Sequence, residues 1–511
     1  MINKGLSKSK YTKFRQCDKA LWLRVYHPEL AMDDPQMNAR FQAGNEVGDL
    51  AMHLFGNYVE VTTLKSDGTL DLKAMLDKTQ QCLNDGTQTI CEASFTFEGC
   101  YCAVDILCKT AGGYDIYEVK SSSASENVEG GRKDKIEVYA QDIAYQKWVL
   151  THCGVNVTGV HLVRLNSDYV RGEELDISQL FITSDMTDYV AREYPHVERF
   201  INTARQTLQQ QQEPKTNLTR YCHKPYHCEF WNYCTQHIPR PSVFNLYKKR
   251  FDHKLSLYKK GKVTFDDLAG EKLTDFQQTQ VACTLSNKTY INHAAIREFM
   301  QQLSYPLYFL DFETMQVVIP KYPGTRPYQQ ITFQYSLHYI EYEGGPLLHR
   351  EFLGVSGEDP RRALAEQLCQ DIPMNVCVTA YNKSFECTRI KELAQAFPDL
   401  SEHLLNIRGH IVDLWDPFRA GHYFVPAMGG STSIKYVLPA LWPNEPSLDY
   451  HNLDERCQNG GNAMTIFPQI KDMEPAEQEA TRKALLAYCC LDTYAMVKVW
   501  ERLKEQVKPF K

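Results

Sequence analysis

The chain has 511 residues, 43% hydrophobic and 23% charged, a balance that excludes a disordered or fibrous protein and predicts about two to four domains. No apolar run reaches the ~18–20 residues of a membrane span, and the opening MINKGLSKSKYTKFRQC lacks the apolar core of a signal peptide, so a cytoplasmic location without membrane contact is expected. A net charge of −7 excludes nucleic-acid binding driven by bulk charge alone, and seventeen cysteines without an export signal point to thiols or metal ligands, not disulfides.

At the N-terminus, KSKYTKFR interleaves basic and aromatic residues. GNEVGDLAMHLFG (44–56) predicts a helix with His53 late in it. CAVDILCKTAGGYDIYEVKSSS (102–123) predicts two strands about a Gly112-Gly113 turn. Asp105 follows an apolar pair on the first, and Glu118 and Lys120 share a face of the second. YAQDIAYQKWVL (139–150) predicts a helix that puts Gln141 and Tyr145 on one face. Taken singly, a histidine more often packs or is solvated, and E-x-K on a strand is usually a salt bridge. In this order, D…E-x-K followed by Q-x-x-x-Y resembles the RecB-type branch of the PD-(D/E)xK nucleases. The resemblance implies a restriction-endonuclease-like α/β domain. In it His53, Asp105 and Glu118 hold Mg²⁺ or Mn²⁺, and Lys120 stabilises charge or helps activate water. Gln141 and Tyr145 support the site or hold DNA.

QTLQQQQEP (206–214) reads as a Gln-rich helix end or loop. YCHKPYHCEFWNYC (221–234) sets Cys222, Cys228 and Cys234 at six-residue steps, with Cys17 far upstream. One early cysteine and a trio beyond the nuclease core resembles the iron–sulfur RecB-like nucleases, though the trio's first step is wider here. The resemblance implies a [4Fe–4S] cluster on Cys17, Cys222, Cys228 and Cys234 that ties the ends of the domain together. Zn²⁺ is the alternative, with His223, His227 or His237 as a fourth ligand. Either would offset the entropy of closing a loop of about 200 residues.

HIPRPSVF (237–244) is proline-punctuated, so the first domain is expected to span 1–240. Residues 241–300 are expected to form a basic, mainly helical connector. Within it YKKRFDHKLSLYKKGK (247–262) carries seven Lys/Arg against one Asp; a solvated helix face is the plain reading of such a run.

From 301 to 511 strands and helices alternate, an α/β pattern. In YPLYFLDFETM (305–315) an apolar strand ends in Asp311 and Glu313, two like charges on one face that are stable only with positive charge between them. VTAYNKSFECTRIKELAQAF (378–397) ends a strand at Asn382 and opens a helix with Glu386. IVDLWDPF (411–418) places Asp413 after an apolar pair. ALLAYCCLDTYAMVKVW (484–500) reads as a helix with Tyr488 and Asp492 on one face and Cys489 and Cys490 as packing residues. D-x-E, N-x-x-x-acid and Y-x-x-x-D in this order resemble the DnaQ-like, RNase H-fold 3′–5′ exonucleases, the DEDD class with the tyrosine variant. The resemblance implies that Asp311, Glu313, Glu386 and Asp492 hold two Mg²⁺ or Mn²⁺ ions about 4 Å apart and that Tyr488 orients the attacking water. The family has Asp where this chain has Glu386; Asp413 is the other candidate ligand. Segments 316–338 and 429–443 are expected to flank the site, with Arg326, Gln334 and Lys435 either meeting substrate or packing loops.

As a whole, the chain resembles an uncharacterised bacterial family that fuses a RecB-like nuclease domain to a DnaQ-like domain. "LYFLDFETM" and "GSTSIKYVLPAL" look like its hallmark segments. The expected activity is hydrolysis of nucleic acid, single-stranded or 3′-ended DNA foremost. RNA is the alternative polymer, since nothing in the sequence reads a 2′-OH. A nucleic-acid-binding or scaffolding protein with a degenerate site is the alternative function, and Glu386 is the hint toward it.

Overall fold

The computed structural model describes residues 5–32, 35–125 and 133–507. They form two compact units, Met1–His237 with Val318–Tyr328, and Ile238–Val317 with Gln329–Lys511. Both are α/β.

The first unit is built on strands β1 (Leu6–Ser7), β2 (Val59–Glu60), β3 (Thr89–Phe97), β4 (Cys100–Lys109), β5 (Tyr114–Ala124), β6 (Val157–Asn166) and β7 (Phe181–Asp185). Its helices include α1 (Lys8–Gln16), α2 (Asp18–Tyr26), α3 (Pro35–Ala51), α4 (Leu72–Asp85) and α5 (Lys133–His152). The sheet runs β2-β3-β4-β5-β6-β7, with β1 against β4. β3, β4 and β5 pair antiparallel, while β5 and β6 are parallel, so α5 is the crossover between them. Gly113 in the β4–β5 turn has to be glycine, because a Cβ there would lie 2.1 Å from the Asn156 carbonyl oxygen.

Apolar residues on both sheet faces make two cores. Ile143, Ala144 and Val149 of α5 pack with Ala93, Val104, Leu107 and Ile116. Val47 and Ala51 of α3 pack with Cys91, Ile106 and Val163. Along β3 and β4 the inward face reverses between Ala93/Val104 and Cys91/Ile106. By register, Glu92 and Asp105 fall at that reversal, and Glu92 takes the left-handed φ of 57°. Ser7 caps α1 by accepting a hydrogen bond from the Lys10 amide, 3.4 Å, which places Lys8 in the first turn of the helix, next to the sheet.

Residues 318–328 fall within the 301–511 expected for the second domain; by packing they belong to the first unit. Val318 and Ile319 are buried in the α3 core, Arg171 donates to the Pro320 carbonyl at 2.8 Å, and the Tyr328 hydroxyl donates to the Ser121 carbonyl at 2.5 Å. Apolar burial outweighs sequence proximity here, and Arg326 goes with this segment.

The second unit holds β8 (Tyr290–Ile291), β9 (Leu307–Gln316), β10 (Gln330–Ile340), β11 (Leu348–Leu353), β12 (Cys377–Ala380), β13 (Ile411–Asp413) and β14 (Tyr423–Phe424). Its main sheet runs β11-β10-β9-β12-β13, antiparallel from β11 to β9 and parallel from β9 to β13; β8 and β14 form a separate antiparallel ribbon. Period-two alternation splits β9 between two cores. Tyr308, Leu310 and Phe312 face Leu364 and Ile390 of the helices Arg361–Asp371 and Ser384–Ala396. Leu307 and Phe309 face Leu491, Ala495 and Met496 of the terminal helix Pro475–Glu505. Asp311 and Glu313 continue that second face.

Residues 241–300 are part of this unit: Cys283, Ile296 and Phe299 lie in the core of the terminal helix. The Asn245 carbonyl closes on Gly430, whose φ is +89° and whose Cβ, if present, would sit 2.1 Å from that oxygen. Gly430→Ala is therefore expected to destabilise the second unit by about 1–3 kcal/mol and to speed proteolysis within 241–262. An unchanged urea midpoint and cleavage rate would show that this segment does not pack there.

Candidate metal centres

At the end of β9, donor oxygens of Asp311, Glu313 and Asp492 all lie within 4.8 Å of one another. Glu313 and Asp492 are buried and Asp311 is half-buried. The strand supplies two carboxylates through its alternation, and the terminal helix, laid over the same face, supplies the third. The Tyr450 hydroxyl donates to Asp492 at 2.6 Å, and Tyr488, one helical turn before Asp492, faces the same carboxylate. Lys435 stands 5.6 Å and 5.7 Å from the Tyr450 and Tyr488 ring centres. A side chain on Gly460 would enter this space, its Cβ 3.5 Å from Glu313 Oε2.

Like charges at this spacing resist ionisation. Burial, then Asp492, Glu313 and Glu386, hold Asp311 well above the usual carboxylate range. Glu313 is raised by burial and Asp492, with Lys435 opposing. Asp492 is raised by burial against the hydrogen bonds from Tyr450 and Tyr488. Burial, the nearby carboxylates and a hydrogen bond to Asp492 push the Tyr488 phenol far up. Glu386, in the first turn of Ser384–Ala396, is buried and pushed up to about 8 by burial, with Asp413 adding to it; among the described residues its Oε2 has no hydrogen-bond partner. A hard divalent cation would relieve the three converging carboxylates, which offer oxygen-only donors and repel one another; Glu386 acts on Asp311 electrostatically but is not one of the three within 4.8 Å of one another.

Two expected contributors are placed elsewhere. Asp413, at the end of β13, accepts the backbone N–H groups of Asn382 (2.8 Å) and Trp415 (3.0 Å); it ties strand to loop and is not one of the three converging carboxylates. Gln334 is fully buried and donates to the Leu485 carbonyl at 2.9 Å, a link between sheet and terminal helix and not a substrate contact.

In the first unit Asp105, Glu118 and Lys120 do converge. Glu118 is fully buried and bonded to Lys120. Lys120 also meets Asp142 at 2.8 Å, and Asp105 accepts the Val119 amide at 2.6 Å. The sequence reading missed Lys8. Its ammonium lies 3.0 and 3.1 Å from the two Glu118 oxygens, 3.8 Å from Asp105 and 3.9 Å from Asp142. Burial raises the Glu118 pKa, but Lys120 and Lys8 outweigh it and the net shift is downward. Asp105, with burial and Glu118 against it, is pushed up to about 6. Glu92 is pushed up to about 7 by burial and Asp105.

On α5 the expected pair is one residue out of phase. Asp142 and Gln146 face the site, Gln146 donating to Glu118 at 2.6 Å. Tyr145 is fully buried, donates to the Leu6 carbonyl and stacks on Tyr11 at 4.7 Å. Its role is to hold β1 against the helix. Gln141 is half-buried beside it. His53 lies just past α3, edge-on to Tyr58 at 5.2 Å, in a pocket with Glu46, Asp49, Arg171 and Lys321. Among the described residues no hydrogen bond or ion pair joins it to Asp105 or Glu118.

Cys17, Cys222, Cys228 and Cys234 line one small pocket with Phe230 and Trp231. All four are free thiols. Burial pushes Cys17 up to about 12 and Cys228 up to about 11, so the thiolates need a positive partner. His223 and His227 pack edge-on to each other at 4.4 Å, and His223 edge-on to Trp231 at 4.6 Å.

Residues 308–433 match a family described as a domain of unknown function, DUF2779. The match covers β9 through β14 and therefore Asp311, Glu313, Glu386 and Asp413, and stops before Lys435, Tyr488 and Asp492. The chain is also 27% identical over 252 residues to the uncharacterized protein UU173 of Ureaplasma parvum serovar 3, covering 43% of this chain and 34% of that one. The chain thus spans about a third of that relative's length.

Glu386 makes stability pH-dependent. Its folded pKa of about 8 exceeds the unfolded value of roughly 4.3, so its contribution is fully present below the lower value and is lost as pH rises toward the upper one. Chelator-treated protein is expected to melt at progressively lower temperature across that window. Glu386→Gln is expected to flatten the loss and melt several degrees higher than wild type at pH 8; a variant melting no higher contradicts the assignment. Removing the Lys8 ammonium leaves Glu118 under-neutralised, so Lys8→Met is expected to lower stability by about 3–5 kcal/mol without metal and to gain more from Mn²⁺ than wild type does. An equal Mn²⁺ shift in both would mean that Lys8 and the cation do not compete.

Proposed function

We propose that the chain is a metal-dependent phosphodiester hydrolase whose second unit trims nucleic acid from the 3′ end. The observation that carries this reading is the convergence of Asp311, Glu313 and Asp492 within 4.8 Å, with Tyr488 beside them. The sheet order β11-β10-β9-β12-β13, antiparallel on one side of β9 and parallel on the other, fits an RNase H-like domain. Asp311, Glu313, Asp492 and Glu386 would hold Mg²⁺ or Mn²⁺. When bound, the ions supply charge stabilisation at the attacking and leaving oxygens. Tyr450 fixes the Asp492 carboxylate. Tyr488 keeps its proton at neutral pH, bonded to Asp492, and its phenolic oxygen would orient the attacking water. Lys435 brings a positive charge that suits a phosphate.

For the first unit, the Asp105–Glu118–Lys120 grouping supports a PD-(D/E)xK-type site in which the two carboxylates would hold the cation and Lys120 would stabilise charge. A second reading, binding without cleavage, is favoured by Lys8, which already neutralises Glu118. The cysteine quartet would hold a [4Fe–4S] cluster. Zn²⁺ on the same thiolates, with His223, His227 or His237 offering an alternative ligand, is the competing reading.

In single-turnover assays with Mn²⁺ and end-labelled DNA or RNA, Asp311→Asn and Asp492→Asn are expected to slow 3′ trimming at least about 10³-fold, while Glu118→Gln leaves it intact. Trimming that persists in both variants removes the assignment. Internal cleavage lost only in Glu118→Gln assigns the first unit as a nuclease; binding without any cut assigns it as a binding unit. Anaerobically purified protein is expected to be brown; a colourless protein with stoichiometric zinc assigns the cysteines to zinc.

A further inference from the structure

Away from the carboxylates, a second set of ligand-type side chains meets in the second unit. β10 and β11 pair with Ser336 opposite Glu351 and His338 opposite His349. Residues two apart share a strand face, so one face of this ribbon carries two imidazoles, a hydroxyl and a carboxylate. The terminal helix brings Cys490 and Thr493, three residues apart, to the same face. Donor atoms of His338, His349 and Cys490 all lie within 4.8 Å of one another. The two imidazole centres are 4.5 Å apart, and a Glu351 oxygen is 4.0 Å from His349 Nε2.

Hydroxyl groups aim both rings. His338 Nδ1 is 2.8 Å from Thr493 Oγ1, His349 Nε2 is 2.9 Å from Ser336 Oγ, and the two hydroxyls are 2.7 Å from each other. One nitrogen of each ring is held by a hydroxyl, Nδ1 of His338 and Nε2 of His349. Hydrogen-bonding one ring nitrogen is how proteins fix the tautomer and direction of a ligating histidine. The phosphodiester chemistry proposed above uses none of these groups.

We propose that His338, His349 and Cys490 form a binding site for a borderline-soft divalent cation, Zn²⁺ foremost, with Glu351 or water as the fourth ligand. Two imidazoles and a thiolate select Zn²⁺ over Mg²⁺ and Mn²⁺, which take oxygen donors. Binding displaces the Cys490 thiol proton to solvent. The ion pins the edge strand β11 and its neighbour β10 to the helix that carries Tyr488 and Asp492. The site stands on its own geometry and does not depend on the nuclease reading.

The test uses full-length protein in excess Mg²⁺, which fills the carboxylate sites, equilibrated with Zn²⁺ against a chromophoric zinc chelator. Wild type is expected to retain one zinc per chain more than His349→Ala, His338→Gln or Cys490→Ser, and zinc is expected to raise the melting temperature of wild type more than that of any of the three. With Co²⁺ in place of Zn²⁺, the wild-type-minus-Cys490→Ser difference spectrum is expected to show a thiolate-to-cobalt charge-transfer band. His349 lies on the edge strand, so His349→Ala decides the question should either of the other two variants fail to fold. Equal zinc retention in wild type and folded His349→Ala overturns the proposal.

Discussion

Buried charge of one sign is the constraint on which the rest depends. Asp311, Glu313 and Asp492 are forced within 4.8 Å in a largely buried pocket, on a strand whose neighbouring Phe309, Leu310 and Phe312 are apolar and buried. The surrounding core is large enough to hold them there: Phe309, Leu310, Ala495 and Met496 fix strand and helix, and the carboxylates are carried along. The repulsion is a cost that folding alone does not recover, and it makes the pocket a receptor for positive charge.

The two units answer the same problem differently. In the first, Lys8 and Lys120 sit against Asp105, Glu118 and Asp142, and most of the charge is offset within the chain. In the second, Lys435 is the cation that acts on Glu313 and Asp492, and three carboxylates remain against it. The second pocket is thus the stronger candidate for a resident divalent ion, and the first is the one in which a lysine and a cation contend for the same oxygens. The cysteine quartet poses a third version of the problem, with partly buried thiols in place of carboxylates.

Much of this was legible locally. Asp311 and Glu313 share a face because strands alternate, and Asp492 follows Tyr488 by one helical turn; both relations need only the period of the element. The same logic, one residue off, chose Gln141 and Tyr145 where Asp142 and Gln146 face the site. Period alone does not say which stripe of a helix buried nearly all round turns toward the sheet. Lys8, Tyr450 and Thr493 gave no signal, since each reaches its partner across a long stretch of chain. For Gln334 the packing alternative is the one realised: it lies opposite Glu313 in the sheet, yet its amide is turned to the Leu485 carbonyl.

The sequence by itself determined the alternation of strands and helices, the residue types with cation chemistry and the order in which they occur, because these follow from side-chain period and donor atoms. Only the tertiary structure decided which of them meet. It sent 318–328 into the first unit, turned Asp413 and Tyr145 to structural bonds, and brought His338, His349 and Cys490 together from two strands and a helix. Such meetings are set by how apolar faces pack over long separations in the chain, and no local pattern encodes them.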